Sequence, residues 1–290
     1  FVLTEYVEPI DISGTVYTDE AKTADIGSGK TVALSVQGGA AVTEETDADG
    51  QFSFSDITVD EDEVITLYID GEAEDGVLVN VSDSSGDMTG QDIITAHITL
   101  RDDADGNLTN SELEYADDAD AGDEDGITVD GSDAVFADGF EVYIYSGDTY
   151  APGGTVEADD FEITSAAGFS PAGNAVTVSG DWTVASGASY THGGSSLTFE
   201  GADTQTVTSN SAVYDEIAVT NASAGGVVFG DDFTAAGLTN NTADSKMTFS
   251  AGDTYTITGL TGLDLDGGAA GTEIEIVSSS GGSEFYFDVT

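Results

Sequence analysis

Apolar and polar residues alternate with period two through almost the whole chain, and each alternating run stops at Gly, Asp, Asn or Ser. That period places every second side chain on one face of a pleated strand, so the pattern specifies half-buried strands joined by tight turns. The runs include Thr31 to Val36, Val64 to Ile69, Val77 to Val81, Phe140 to Tyr145, Ala175 to Val178, Lys246 to Phe249 and Glu273 to Val277. A content of 37 Gly against three Pro suits many tight turns between short strands. Only Gly90 to Thr99 and Ser111 to Tyr115 have a spacing that suits a helical turn. The expected fold class is all-β.

Charge narrows the surroundings in which such strands can pack. The chain holds 57 Asp and Glu residues against four basic ones, Lys22, Lys30, Arg101 and Lys246, a formal net charge of −53 over 290 residues. Two like unit charges ten ångströms apart in water repel by roughly 0.4 kcal/mol, and a surface holding dozens of them needs concentrated salt or bound cations. A halophilic setting and calcium loading both select such a composition. Acidic excess can also signal disorder, but 39% hydrophobic residues, with 13 Phe and 11 Tyr, supply the apolar surface of a packed core. Without a basic patch to meet phosphate, neither nucleic-acid binding nor attraction to anionic membranes is expected. No apolar run approaches the roughly 18 residues that span a bilayer. Cysteine is absent, which excludes disulfides, thiolate zinc sites and cysteine nucleophiles. The first residue is Phe1 rather than Met, as in a processed mature chain or a piece of a longer one. Processing points to export, so the expected location is extracellular, secreted or at the cell surface.

Three segments follow from the pattern: 1–12, an extended segment; 13–86, a β-sandwich; and 87–290, a solenoid-like domain with an acidic loop at 101–126. In the second segment the strands ISGTVYTD, KTVALSV, QFSFSDI, EVITLYIDG and GVLVNVSD follow one another, with Thr46-Asp47-Ala48-Asp49-Gly50-Gln51-Phe52-Ser53-Phe54 in the middle. The Asp-Ala-Asp-Gly turn offers a left-handed glycine position, and Phe52 and Phe54 then share one face. This order resembles the carboxypeptidase-regulatory-like and Cna B-type modules over about 70 residues. The resemblance implies an Ig-like or prealbumin-like β-sandwich that serves as a spacer or adhesion module. Beyond Asp87 shorter strands recur every 8 to 12 residues or so, as in GGSSLTFEGADTQTVTSNSAVYDEIAVTNASAGGVVFG. That stretch resembles the rungs of large secreted proteins that form right-handed parallel β-helices, as does the ending KMTFSAGDTYTITGLTGLDLDGG with EIEIVSSSGGSEFYFDVT. A parallel β-solenoid at about 20 to 25 residues per rung is expected here, with a second sandwich as the alternative.

The residue types favour assembly and cation binding over catalysis. His97 and His192 are far apart in sequence and lack companion ligands, and carboxylates are too many for any pair to be singled out. No catalytic residue and no enzymatic activity are expected. The run Arg101 to Glu112 follows the EF-hand loop register at Asp103, Asp105, Gly106, Leu108, Thr109 and Glu112, with Arg101 where a carboxylate should begin the loop. Asp103, Asp105, Asn107 and Glu112, with Asp120, Asp123 and Asp125 just beyond, are the candidate Ca²⁺ ligands, because Ca²⁺ accepts six to eight oxygens in irregular geometry. The alternative is a solvated acidic loop. Sequons at Asn80, Asn107, Asn221 and Asn240 accept glycans where the host has the pathway and otherwise serve as turn or strand residues. The first residues, FVLTEYV, read either as the lead-in to the first strand or as an arm that adds a strand to a neighbour, Pro9 marking where it leaves the body. Phe1, Leu3, Tyr6 and Val7 at one end and Phe285, Phe287 and Val289 at the other are the candidate interface residues, the last three ending the chain on an apolar strand. The function expected is that of an extracellular structural protein polymerising with copies of itself into a filament or surface layer. The alternative is an adhesin fragment that binds glycans or other cells.

Overall fold

The structure is a computed structural model that describes residues 8–83, 86–104, 106–119, 126–259, 262–267 and 272–290. It is all-β apart from one α-helix, and it divides into two compact units, Phe1–Val129 and Asp130–Thr290. No helix among the described residues is long and apolar enough to cross a membrane.

The first unit holds β1 (Ile10–Tyr17), β2 (Thr31–Val36), β3 (Val42–Glu45), β4 (Gln51–Ile57), β5 (Val64–Ile69), β6 (Val77–Val81), β7 (Met88–Thr89), β8 (Ile93–Ile94), β9 (His97–Asp102) and α1 (Asn110–Asp117). Strand β1 pairs antiparallel with β4 and parallel with β7 and β8, while β2, β3, β5 and β6 form an antiparallel run that β9 extends in parallel. The two sheets enclose one core. Ile12, Val16, Phe52 and Phe54 come from one side, and Val32, Leu34, Ile65, Leu67 and Leu78 from the other. Gly14 sits where β1 passes from β7 to β8, and a Cβ there would stand 2.0 Å from the carbonyl oxygen of Gln91. Only glycine lets the chain approach so closely.

The reverse face of β5 and β6 is buried as well, so both strands are buried at every position, Thr66 and Asn80 included. Leu113 and Ala116 of α1 are buried in the helix that packs on these strands. The helix contains Ser111 to Tyr115, as the spacing suggests. Gly90 to Thr99 instead contains β8 and the start of β9: Gln91 N and Thr95 N donate to Ser13 O and Tyr17 O, which ties the segment to β1. Parallel coiling begins at β6, where Leu78 pairs with Thr99 of β9, so the segment from 87 onward enters the solenoid as expected, although residues 87–129 cluster with the first unit.

The second unit is a parallel β-solenoid. One stack runs Asp133–Phe136, Val156–Ala158, Val176–Val178, Ser196–Phe199, Val213–Val219, Thr234–Asn240, Thr254–Ile257 and Tyr286–Val289. A second runs Glu141–Ile144, Asp160–Ile163, Trp182–Val184, Gln205–Thr208, Val227–Phe229, Lys246–Phe249 and Glu275–Ser278, and Thr149–Tyr150, Gly168–Phe169 and Ser189–Tyr190 form a short third. Register advances by nearly one coil at each step: Val156 pairs with Val176, Val176 with Leu197, Leu197 with Ile217 and Ile217 with Leu238, advances of 20, 21, 20 and 21 residues. Each strand is too short to bury a core alone, so neighbouring coils must supply it.

That core is a column of rings. Phe136, Tyr150, Phe169, Phe161, Trp182, Tyr190, Tyr214, Phe233, Phe229, Phe249 and Tyr255 follow one another with centroids 4.7 to 6.4 Å apart. Such pairs add about 0.5–1.5 kcal/mol each beyond the area they bury. Polar tips inside the column find partners: Trp182 Nε1 donates to the Tyr214 hydroxyl at 3.0 Å, which donates to Ser209 Oγ at 3.1 Å.

Gln205 is the most heavily committed buried amide. Its Nε2 donates to Val178 O at 2.9 Å and Gly180 O at 2.7 Å in the preceding coil. Its Oε1 accepts from Gly201 N and, in the following coil, from Asn221 Nδ2, both at 2.9 Å. Replacing Gln205 by Leu strands these groups in a site closed to water. We predict a loss of about 3 kcal/mol, read as a lower urea midpoint at unchanged slope. An unshifted midpoint refutes the staple.

Candidate functional site

The acidic stretch after β9 spends its carboxylates locally. Asp102, 6% exposed, turns its carboxylate back to accept from Ala104 N at 2.9 Å and from the Gly106 amide, and burial pushes its pKa up. Asp103 accepts from Arg101 Nε at 2.7 Å, Asn80 Nδ2 at 2.8 Å and Gln91 Nε2 at 3.3 Å. Glu112, in the first turn of α1, accepts from Thr109 N at 2.6 Å and Thr109 Oγ1 at 2.9 Å; burial raises its pKa, and Asp102 and Asp62 add to that. Asn107 is exposed. Asp103 and Glu112 thus face different partners, while Asp105, Asp120, Asp123 and Asp125 lie outside the described residues.

Each basic side chain already has an acidic neighbour. Lys22 meets Asp92 at 2.9 Å, Lys30 meets Glu74 at 2.6 Å and Glu72 at 3.2 Å, Arg101 meets Asp103 at 2.7 Å, and Lys246 meets Glu275 at 3.7 Å. The histidines stand apart. His97, at the start of β9, places Nδ1 2.7 Å from Thr95 O and Nε2 3.4 Å from Glu20 Oε1. With Nδ1 donating to the Thr95 carbonyl, Nε2 can meet the Glu20 carboxylate only as a second donor, in the doubly protonated ring. Spacing gave no signal for the His97 and Glu20 pair, because 77 residues separate them. His192 accepts from Gly194 N at 3.1 Å within its own turn.

On the solenoid, aspartates clamp one coil to the next. Asp133 accepts from Thr155 N at 3.0 Å, Asp159 from Gly139 N at 3.1 Å, Asp181 from Thr206 N at 2.6 Å, and Asp231 from Ser209 N at 2.6 Å. Asp160 accepts from Asp181 N. Each contact joins residues 20 to 25 apart, the length of a coil. Asp138, Asp159, Asp160, Asp181 and Asp203 line a groove of about 510 Å³ along one corner, with no basic residue in its wall. Burial raises the pKa of Asp160, and Asp159, Asp181 and Glu141 add to that; Asp133 is held below the usual range by Thr155. Such a groove attracts cations. In the first unit a polar groove of about 460 Å³ is lined by Ser13, Thr15, Glu44, Glu45, Asp47 and Asp92, among others.

At the last coil, Glu275–Ser278 and Tyr286–Val289 are the edge strands of their stacks among the described residues. Phe285 and Phe287 continue the aromatic column, 4.9 and 5.1 Å from Phe249, but are only half-buried. Ile276, Tyr286 and Val289 are 38%, 52% and 46% exposed. Phe285, Phe287 and Val289 therefore share one apolar edge, whereas Phe1, Leu3, Tyr6 and Val7 lie outside the described residues.

No family model, no curated protein and no solved structure matches this chain.

Stability should respond to pH in two opposed steps. Asp102, Glu112 and Asp160 have raised pKa values, so their ionisation disfavours the fold, and stability is gained as pH falls from neutrality toward their unfolded values. Asp19, held low by Thr23, with Glu74 and Asp133, behaves oppositely: their contribution is present above the unfolded values and is lost as pH falls through the depressed ones. We predict a maximum in melting temperature near about pH 4 to 5 at fixed ionic strength. Asp160→Asn, which removes the charge, should raise the melting temperature at pH 7 and flatten the rise. Calorimetry from pH 3 to 8 tests both; a melting temperature that falls steadily from pH 7 contradicts the assignment.

Proposed function

We propose that this chain is a subunit of an extracellular structural assembly, a filament or surface layer in which copies join head to tail. The observation that carries this reading is the last coil of the second unit. There the aromatic column reaches half-exposed rings, flanked by strands that are the outermost of their stacks among the described residues. Such an edge is a template for another strand, and a solenoid end gains by stacking, because each coil depends on its neighbours for burial. The first unit, as a spacer of the Cna B type, sets the distance between joints. Strand addition by the segment carrying Phe1, Leu3, Tyr6 and Val7 is the second route to the same assembly. The acidic surface keeps neighbouring fibres hydrated and apart, and salt or Ca²⁺ lowers the repulsion at the joints.

The 460 Å³ groove of the first unit favours a second reading, an adhesin. Its hydroxyls and carboxylates suit a polar ligand such as a glycan, held directly or through Ca²⁺. The catalytic reading has no comparable support, and we propose no enzymatic activity.

Negative-stain electron microscopy in high salt, in millimolar Ca²⁺ and after chelation separates the two. The expected result is regular filaments, which disappear in a Phe285→Ser, Val289→Ser double variant whose circular dichroism keeps its β-signal. Uniform single particles in every condition would refute assembly and favour the adhesin.

A further inference from the structure

Four Asn-X-Ser/Thr triplets occur in the chain, beginning at Asn80, Asn107, Asn221 and Asn240. Such a triplet is an acceptor for N-linked oligosaccharide only where the finished fold leaves room for a bulky, hydrated sugar. The structure sorts the four by that requirement.

Asn80 is completely buried, and its Nδ2 donates to Gln91 Oε1 and Asp103 Oδ2, both at 2.8 Å. Asn221 is completely buried, with Nδ2 donating to Asp203 O at 2.8 Å and Gln205 Oε1 at 2.9 Å. Asn240 is completely buried too; its Oδ1 accepts from Thr242 N at 3.0 Å, and its Nδ2 is enclosed without a partner. A sugar on any of these nitrogens would have to displace core. Asn107 differs. It is exposed, in the connection between β9 and α1, and the two residues after it are fixed: Leu108 is 1% exposed, and Thr109 is the N-cap of α1 in an extended backbone conformation. Gly106, just before it, is also exposed.

We infer that Asn107 is an N-glycosylation site, and that it alone of the four triplets carries a glycan in the folded protein. In the transfer, Asn107 Nδ2 bonds to the anomeric carbon of an oligosaccharide carried on a lipid pyrophosphate. The bond from that carbon to the phosphate oxygen breaks, the pyrophosphate leaves with the electron pair, and a base of the transferring enzyme takes the amide proton. The sugar then stands beside the acidic stretch 101–126 as a neutral, hydrated cover. This inference is independent of how copies assemble.

The test is secretion of the full chain from a host with an N-glycosylation pathway. Intact mass and peptide mapping follow, with an amidase that converts each glycosylated Asn to Asp in ¹⁸O-water. The expected result is label at Asn107 only, abolished by Asn107→Gln, retained in Asn221→Gln and retained in Thr109→Ser, which preserves both the hydroxyl acceptor signal and the helix cap. Mapping of the unsubstituted protein keeps the inference falsifiable if a variant fails to fold. A folded, secreted chain with no glycan, or with label at Asn80, Asn221 or Asn240, overturns it.

Discussion

Four cations cannot balance 57 carboxylates, and the way the chain meets that shortage shapes much of the rest of the structure. Where other proteins set lysine or arginine against an acid, this one sets the backbone. Asp133, Asp159, Asp181 and Asp231 each take an amide from a neighbouring coil of the solenoid. In the first unit Asp11, Asp87 and Asp92 tie β1 to its surroundings in the same manner, Asp92 accepting from Thr15 N at 3.0 Å. A hydrogen bond to an ionised acceptor contributes more than a neutral one. The charge that repels at long range thus holds the coils together at short range. It also makes carboxylate clusters poor guides to a metal site, since an acid that already holds an amide has fewer lone pairs left for an ion.

Inside the solenoid the division of labour is different. Rings fill the column, and the few polar groups admitted there connect one coil to another, as Gln205 and Asn221 do. Tyr190 and Tyr255 have pKa values pushed up to about 12 by burial, and Tyr214 is pushed higher still. Their hydroxyls stay protonated as donors through the physiological range. A core built in this repeating way leaves each coil dependent on its neighbours for burial. The proposed assembly and the acidic surface then oppose one another, apolar stacking drawing copies together while like charges hold them apart. Ionic strength, and any cation that condenses into the aspartate-lined groove, sets the balance.

Much of the fold was legible because strand period and turn residues are local signals. The alternation of Gln51–Ile57 put Phe52 and Phe54 on one face, and both are buried. Lys246–Phe249 alternates in the same way, with Met247 and Phe249 inward. Glycine and aspartate turns marked where coils end. The segment Gly90 to Thr99 misled because β8 is only two residues long and just the first part of β9 falls within it, too little for a period to register, and hydrogen bonds to β1 fix its structure. The EF-hand register of Asp103 and Glu112 was a true spacing, but spacing does not say which donors a carboxylate will meet. Asn80 and Gln91, brought in by strand pairing and a crossover, took Asp103, and the helix cap took Glu112.

By itself, then, the sequence determined that this chain is a folded, acidic, all-β protein with a coiled parallel repeat. Those properties depend on composition and on periods of two residues, which neighbours along the chain suffice to set. The tertiary structure alone decided which carboxylates clamp a coil, which sequon faces solvent, that residues 87–129 pack with the first unit, and that Phe285, Phe287 and Val289 meet on one edge. Each of these depends on contacts between residues some 20 or more positions apart, which form only when strands pair, and no local pattern encodes which distant partner a side chain will find.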